Sequence, residues 1–169
     1  LHAAVALRGP SLALGGQDLH PISGRLPDRG VCCSTEALGA TNEWESMPPL
    51  VSPRAGTGAA TIGSRVYVSG GYDYHLKVRL SSVECFDPEV WAWSECKAME
   101  MLHPRCSHAS VAFAGRLYVL GGYQEGTVAA RSVECLNLAT SSWETLQPMA
   151  AGRSVLYAGV IALGPTAAA

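Results

Sequence analysis

The chain has 169 residues, 48% of them hydrophobic and 15% charged, with a formal net charge of −2. That length suits one ordinary domain, or three to four repeats of about fifty residues. The near-neutral balance offers no electrostatic footprint for nucleic acid, and no apolar run approaches the roughly eighteen residues of a membrane span.

Residues 1–16 read as two strands. His2 to Gly9 aligns without a gap with His108 to Gly115, and Gly15-Gly16 aligns with Gly121-Gly122. The chain thus starts inside a first strand, Ser11 to Leu14 is the second, and the expectation is a piece of something longer. The opening Leu1 to Leu7 is no signal core, because Arg8 interrupts it and no charged segment precedes it.

The pattern weakens over 17–43. Pro21, Gly24, Pro27 and Gly30 predict a long loop over 17–30. Val31 to Thr35 is the expected third strand, although the motif seen there in later repeats is erased. Thr41-Asn42-Glu43-Trp44 restores the register of Thr140-Ser141-Ser142-Trp143.

The next stretch is complete. Pro53-Arg54 opens it, Thr57 to Ile62 and Arg65 to Ser69 read as strands, and Gly70-Gly71 ends the second. A polar loop, Tyr72 to Arg79, leads to a third strand at Val83-Glu84-Cys85, and Trp93 marks a fourth. The same succession returns fifty or fifty-one residues later as Arg105, Gly121-Gly122, Val133-Glu134-Cys135 and Trp143. Arg153 to Leu163 reads as one more first strand. The units are 1–46, 47–98, 99–148 and 149–163, followed by a tail at 164–169.

Each recurring residue has a physical reason. The pairs Gly70-Gly71 and Gly121-Gly122 allow positive φ and close backbone approach. Val-Glu-Cys alternates as a strand between two faces does. Trp44, Trp93 and Trp143 are read as filling the wedges between neighbouring sheets, each burying roughly 150–250 Å²; recognition aromatics on the surface are the alternative.

Agreement at so many spaced positions resembles the kelch repeat, and above all the propellers of the Kelch-like adaptor proteins. The pattern Pro-Arg, first strand, Leu-Tyr-Val-x-Gly-Gly, loop, Ser-Val-Glu-x-Tyr-Asp-Pro, Thr-x-x-Trp, Pro-Met survives over roughly 1–163. In the first full copy Phe86 replaces its tyrosine; in the second Leu136 does, and Asp-Pro becomes Asn137-Leu138. The implied fold is all-β: a partial propeller of about three four-stranded blades plus one strand, with the ring not closed. Such an array leaves unpaired edges, so a poorly soluble monomer is expected.

The resemblance implies a protein-interaction module: the substrate-recognition propeller of a cullin-RING ubiquitin ligase adaptor, or an actin-binding or scaffolding protein. The cullin would be met only through BTB and BACK domains, which these residues do not contain. Relatives bind partners through an arginine of each linker and through the loops after the glycine pairs. Those positions are Arg54, Arg105 and Arg153, with Tyr72, Tyr74, His75, Tyr123 and Gln124. The arginines could clamp acidic peptide carboxylates or cap blade ends through backbone carbonyls, and both roles stay open.

His2 and His108 are repeat-equivalent and read as fold residues, as do Glu84 and Glu134. No residues carry metal-ligand spacing, and no copper-oxidase or sugar-enzyme constellation is present. The expectation is therefore no enzyme, no catalytic residue, no metal and no cofactor, with a protein partner and neither nucleic acid nor membrane. The cysteines at 32, 33, 85, 96, 106 and 135 contain no Cys-x-x-Cys. Equivalent strands of adjacent blades hold Cys85 and Cys135 too far apart to bridge. Reduced thiols point to the cytoplasm, with the nucleus as the alternative.

Overall fold

The computed structural model describes residues 3–6, 11–16, 32–126 and 129–159. Fourteen strands are described: β1 (Ala3–Ala6), β2 (Ser11–Gly16), β3 (Cys32–Leu38), β4 (Trp44–Met47), β5 (Gly58–Ile62), β6 (Arg65–Ser69), β7 (Tyr72–Asp73), β8 (Val78–Arg79), β9 (Val83–Asp87), β10 (Ala92–Glu95), β11 (Ala109–Phe113), β12 (Arg116–Leu120), β13 (Val133–Asn137) and β14 (Ser142–Leu146). They form three four-stranded antiparallel sheets, β1-β2-β3-β4, β5-β6-β9-β10 and β11-β12-β13-β14, plus the ribbon β7-β8. Each sheet is one blade. The first strand β5 of the middle blade touches the first strands of both neighbours, β1 and β11, as a radial array requires. No helix among the described residues is long and apolar enough to cross a membrane.

Apolar side chains fill the two wedges between blades. Between the first and second blades, Leu50, Val66, Val68, Phe86 and Trp93 pack against Cys33, Ala37 and Met47. Between the second and third, Tyr67, Val83 and Cys85 meet Leu117, Val119 and Leu136. Trp93 is 7% exposed, and Trp143 packs at the second wedge, its Nε1 donating to the Met99 carbonyl at 3.0 Å. Trp44 departs from the wedge role. It is 54% exposed, whereas Trp93 and Trp143 each pack against the blade before their own, and the described residues include no blade before the first.

Three other expectations change. The third strand of the first blade is not Val31 to Thr35 but runs to Leu38. Its pairs Ala13↔Glu36 and Leu38↔Trp44 match Val68↔Glu84 and Phe86↔Trp93. The loop after Gly71 is not plain coil: Tyr72↔Arg79 and Asp73↔Val78 zip it into a ribbon. No strand forms over Arg153–Gly159, and 160–163 lie outside the described residues, as do His2 and the loop at 17–30. Even so, Arg153 and Val155 donate to Ala130 and Ser107 as Arg105 and Ser107 donate to Leu80 and Gly56, so the linker repeats the entry to a blade.

The glycine pairs have a steric cause. Gly70 has φ +57°, and a Cβ there would lie 2.5 Å from the Arg105 carbonyl oxygen of the next linker. Gly63 has φ +64° with nothing within 4 Å of such a Cβ. Gly63→Ala should therefore cost only the left-handed strain, about 1 kcal/mol. Gly70→Ala adds the clash and should cost about 3 kcal/mol. Urea melts of the two variants check this, and equal losses would refute the close-approach account.

Candidate binding face

The linker arginines are set by charge and burial. The Arg54 guanidinium is fully buried and donates to the Gly70 carbonyl at 2.9 Å, to Ser82 Oγ at 3.0 Å and to Glu84 Oε1 at 2.5 Å. Glu84 accepts in turn from the backbone N–H groups of Val51 and Ser52. Arg105 repeats the arrangement with the Gly121 carbonyl and Glu134, and Glu134 accepts from Leu102 N and meets His103 Nδ1 at 2.8 Å. Burial lowers the pKa of Arg105, and the Glu134 carboxylate offsets this.

This corrects the arginine assignment. Arg54 and Arg105 are 0% exposed, with their guanidiniums committed to blade carbonyls and a carboxylate, so they offer nothing to a partner. Glu84 and Glu134 are the buried counter-charges. Arg153 alone of the three has an exposed side chain.

The residues after each arginine are largely buried, Ala55 5% and Cys106 9% exposed, and help to line a cleft. Ala55 exchanges backbone hydrogen bonds with Tyr72, and Cys106 exchanges them with Tyr123. That pairing sets both tyrosines beside the linkers. Ala55, Gly56, Tyr72, Tyr74, Cys106, Ser107 and Tyr123 line a cleft of about 380 Å³. Tyr72 and Tyr74 stack edge to face at 4.8 Å, and Tyr74 is 45% exposed. Asp73 Oδ1 accepts from His75 N and Leu76 N, which fixes the turn that carries Tyr74.

A second cleft, about 460 Å³, is lined by Lys77, Val78, Arg79, His103, Pro104, Gln124 and Glu125. Gln124 donates to Ser132 Oγ at 3.0 Å. Arg79 Nε is buried without a partner, and burial raises the Cys106 thiol while the Arg79 guanidinium pulls the other way. His75 is exposed and lines neither cleft. Of the expected partner residues, Tyr72, Tyr74, Tyr123 and Gln124 therefore line clefts, whereas the arginine ring does not.

Ala55-Gly56, Cys106-Ser107, Lys77, Arg79 and His103 were not singled out in the sequence. A usable signal existed, since Ala-Gly-Thr after Arg54 becomes Cys-Ser-His after Arg105. Ala55-Gly56 and Cys106-Ser107 thus vary beside recurring residues, whereas His108 in the same triplet is buried in the fold.

A largely buried polar bridge runs between two blades. His108 Nε2 stands 3.0 Å from Ser69 Oγ, which stands 2.8 Å from Ser110 Oγ, so the second and third blades are joined. Among the described residues, no group of three or more His, Cys, Asp or Glu is disposed to hold a metal. Cys85, Cys96, Cys106 and Cys135 are free thiols.

Repeated four-stranded blades stitched by a linker arginine define a kelch-repeat β-propeller. The KLHDC2/KLHL20/DRC7 Kelch-repeats domain model matches residues 2–160, and the chain belongs to that family. It is 30% identical over 152 residues to Kelch-like protein 26 of Danio rerio, covering 88% of this chain and 23% of the relative. It is 34% identical over 123 residues to human Kelch-like protein 33, covering 72% and 21%. The chain thus spans less than a quarter of the length of these relatives.

Burial, and secondarily the Arg105 charge, push the His108 pKa down from 6.5 to about 3. Its contribution is fully present above pH 6.5. Below that the unfolded chain takes up a proton that folded His108 refuses, until pH falls to about 3. Stability should drop by up to about 1.4 kcal/mol per pH unit from this residue. Denaturant titrations at several pH values between 7 and 4 should show a shallower acid slope for His108→Gln, and an unchanged slope would contradict the assignment.

Proposed function

We propose that this chain supplies the substrate-recognition surface of a Kelch-like adaptor for a cullin-RING ubiquitin ligase. The carrying observation is the pair of clefts between the second and third blades, one lined by tyrosines and one by basic side chains. Tyr72, Tyr74 and Tyr123 supply broad apolar faces with polar tips, a composition suited to gripping an extended peptide. Lys77 and Arg79 favour carboxylates of that peptide, and Glu125 selects against acidic residues on its own side. No side chain here is assigned a catalytic step. Contact with the ligase scaffold falls to BTB and BACK domains of a parent protein, outside the repeats.

Proximity labelling in cells tests this, with the chain beside a Tyr74→Ala/Tyr123→Ala variant. A discrete partner set should label with the original and fall at least about tenfold with a still-folded variant. Identical labelling by both, or labelling of chaperones alone, would overturn the assignment of the cleft.

A further inference from the structure

One slot where the fourth strand of a blade meets the third changes its chemistry from blade to blade. Met47 fills it opposite Thr35 in the first blade, and Leu146 opposite Val133 in the third. In the second blade the slot is Cys96, whose N–H donates to the Val83 carbonyl at 2.8 Å and extends the β9–β10 ladder by one residue. Cys85 lies opposite Ser94, two residues before Cys96, so the two thiols are diagonal neighbours on one face of the blade. Both belong to the apolar wedge against the third blade. Cys135 repeats Cys85 in the third blade, but its diagonal neighbour is Leu146. Among the described blades, only the second pairs two thiols in this way.

The two thiols are unlike. Cys85 is 8% exposed, whereas Cys96 is half-buried and lies just past the end of its strand. Hydrogen bonding from Cys85 holds Cys96 below the usual thiol range. The same contact, and then burial, hold Cys85 above that range, and its thiol also reaches the Phe86 carbonyl at 3.7 Å. Cys96 is thus the nucleophile of the pair, with a protonated Cys85 beside it.

We infer that Cys96 and Cys85 form an oxidation site for hydrogen peroxide, which closes a disulfide across the second blade. The Cys96 thiolate attacks one peroxide oxygen, the O–O bond breaks, and the other oxygen leaves as water once protonated. Cys96 is then a sulfenic acid. The Cys85 sulfur attacks the Cys96 sulfur, the S–O bond breaks, and the departing hydroxide takes the Cys85 proton as a second water. Two thiols and one peroxide give one disulfide and two waters. Diagonal Cα atoms stand roughly 7–8 Å apart and a disulfide spans at most about 7 Å, so the bond draws Cys96 towards β9. That movement is open to it, because β10 stops at Glu95 and a turn follows. The Cys96 carbonyl accepts from Met99 N, and the Met99 carbonyl from Trp143 Nε1, so oxidation pulls on the junction with the third blade. The inference does not rest on the partner-binding reading of the clefts.

Limited peroxide treatment of the 169-residue chain, then thiol blocking and tryptic digestion without reductant, tests it. The peptide 80–97 holds Cys85 and Cys96 and no other cysteine. It should appear about 2 Da lighter, by two hydrogens, and revert with a dithiol. Cys96 should be consumed at least about tenfold faster than the buried Cys106 or Cys135. Cys85→Ala should stop Cys96 at the sulfenic acid, which a cyclic diketone traps, and Cys96→Ser should leave Cys85 a thiol. Near-ultraviolet circular dichroism confirms that the variants stay folded. A peptide of unchanged mass, a bond from either cysteine to a different one, or Cys96 consumed no faster than Cys106 would overturn the inference.

Discussion

A buried guanidinium paired with a buried carboxylate holds each complete blade to its linker. Arg54 with Glu84, and Arg105 with Glu134, sit where neither side chain meets solvent. Two desolvated charges are tolerable only when nearly every donor and lone pair is satisfied. Blade carbonyls and linker amides provide this, so the linker must follow one path. The arginine also joins two blades. Its side chain serves the blade it opens, while its backbone accepts from and donates to the blade before, as in Gly71 N to Arg105 O.

That constraint explains where function can reside. With the arginine turned inward, the largely buried residues after it pair with the loops through the bridges Ala55↔Tyr72 and Cys106↔Tyr123, which bring the loop aromatics to the cleft. The clefts thus stand on two blades, with Tyr72 and Tyr123 recurring at equivalent positions while Tyr74, Lys77, Arg79 and Glu125 vary between repeats.

Much of this was legible in the sequence, and the failures have physical reasons. Gly70-Gly71 and Gly121-Gly122, the Val-Glu-Cys strands and the tryptophans disclosed the repeat because backbone clearance and wedge packing tolerate few residue types. The third strand of the first blade was expected over Val31 to Thr35, and its continuation to Leu38 was missed. Glu36 precedes Trp44 by eight residues where Glu84 precedes Trp93 by nine, and Thr35 and Ala37 replace valine and cysteine. A hairpin one residue shorter conceals a preserved register. The arginines could not be resolved from sequence alone. A recurring arginine beside an acidic strand residue fits a partner clamp and a buried clasp equally, and only the 2.5 Å Arg54–Glu84 contact decides. Tyr74 and Gln124 were visible as loop individuality and Tyr72 and Tyr123 as the residue after each glycine pair, whereas Arg79 and His103 come together from separate segments.

The most direct test of the clasp is a double-mutant cycle on Arg105 and Glu134, read as stability to urea. Arg105→Met or Glu134→Leu alone strands a buried charge and should cost about 3–5 kcal/mol. Removing both together should cost far less than the sum, with a coupling of about 2 kcal/mol or more. Small, additive losses would show that the pair does not hold the blade, and would return Arg105 to candidacy as a partner contact.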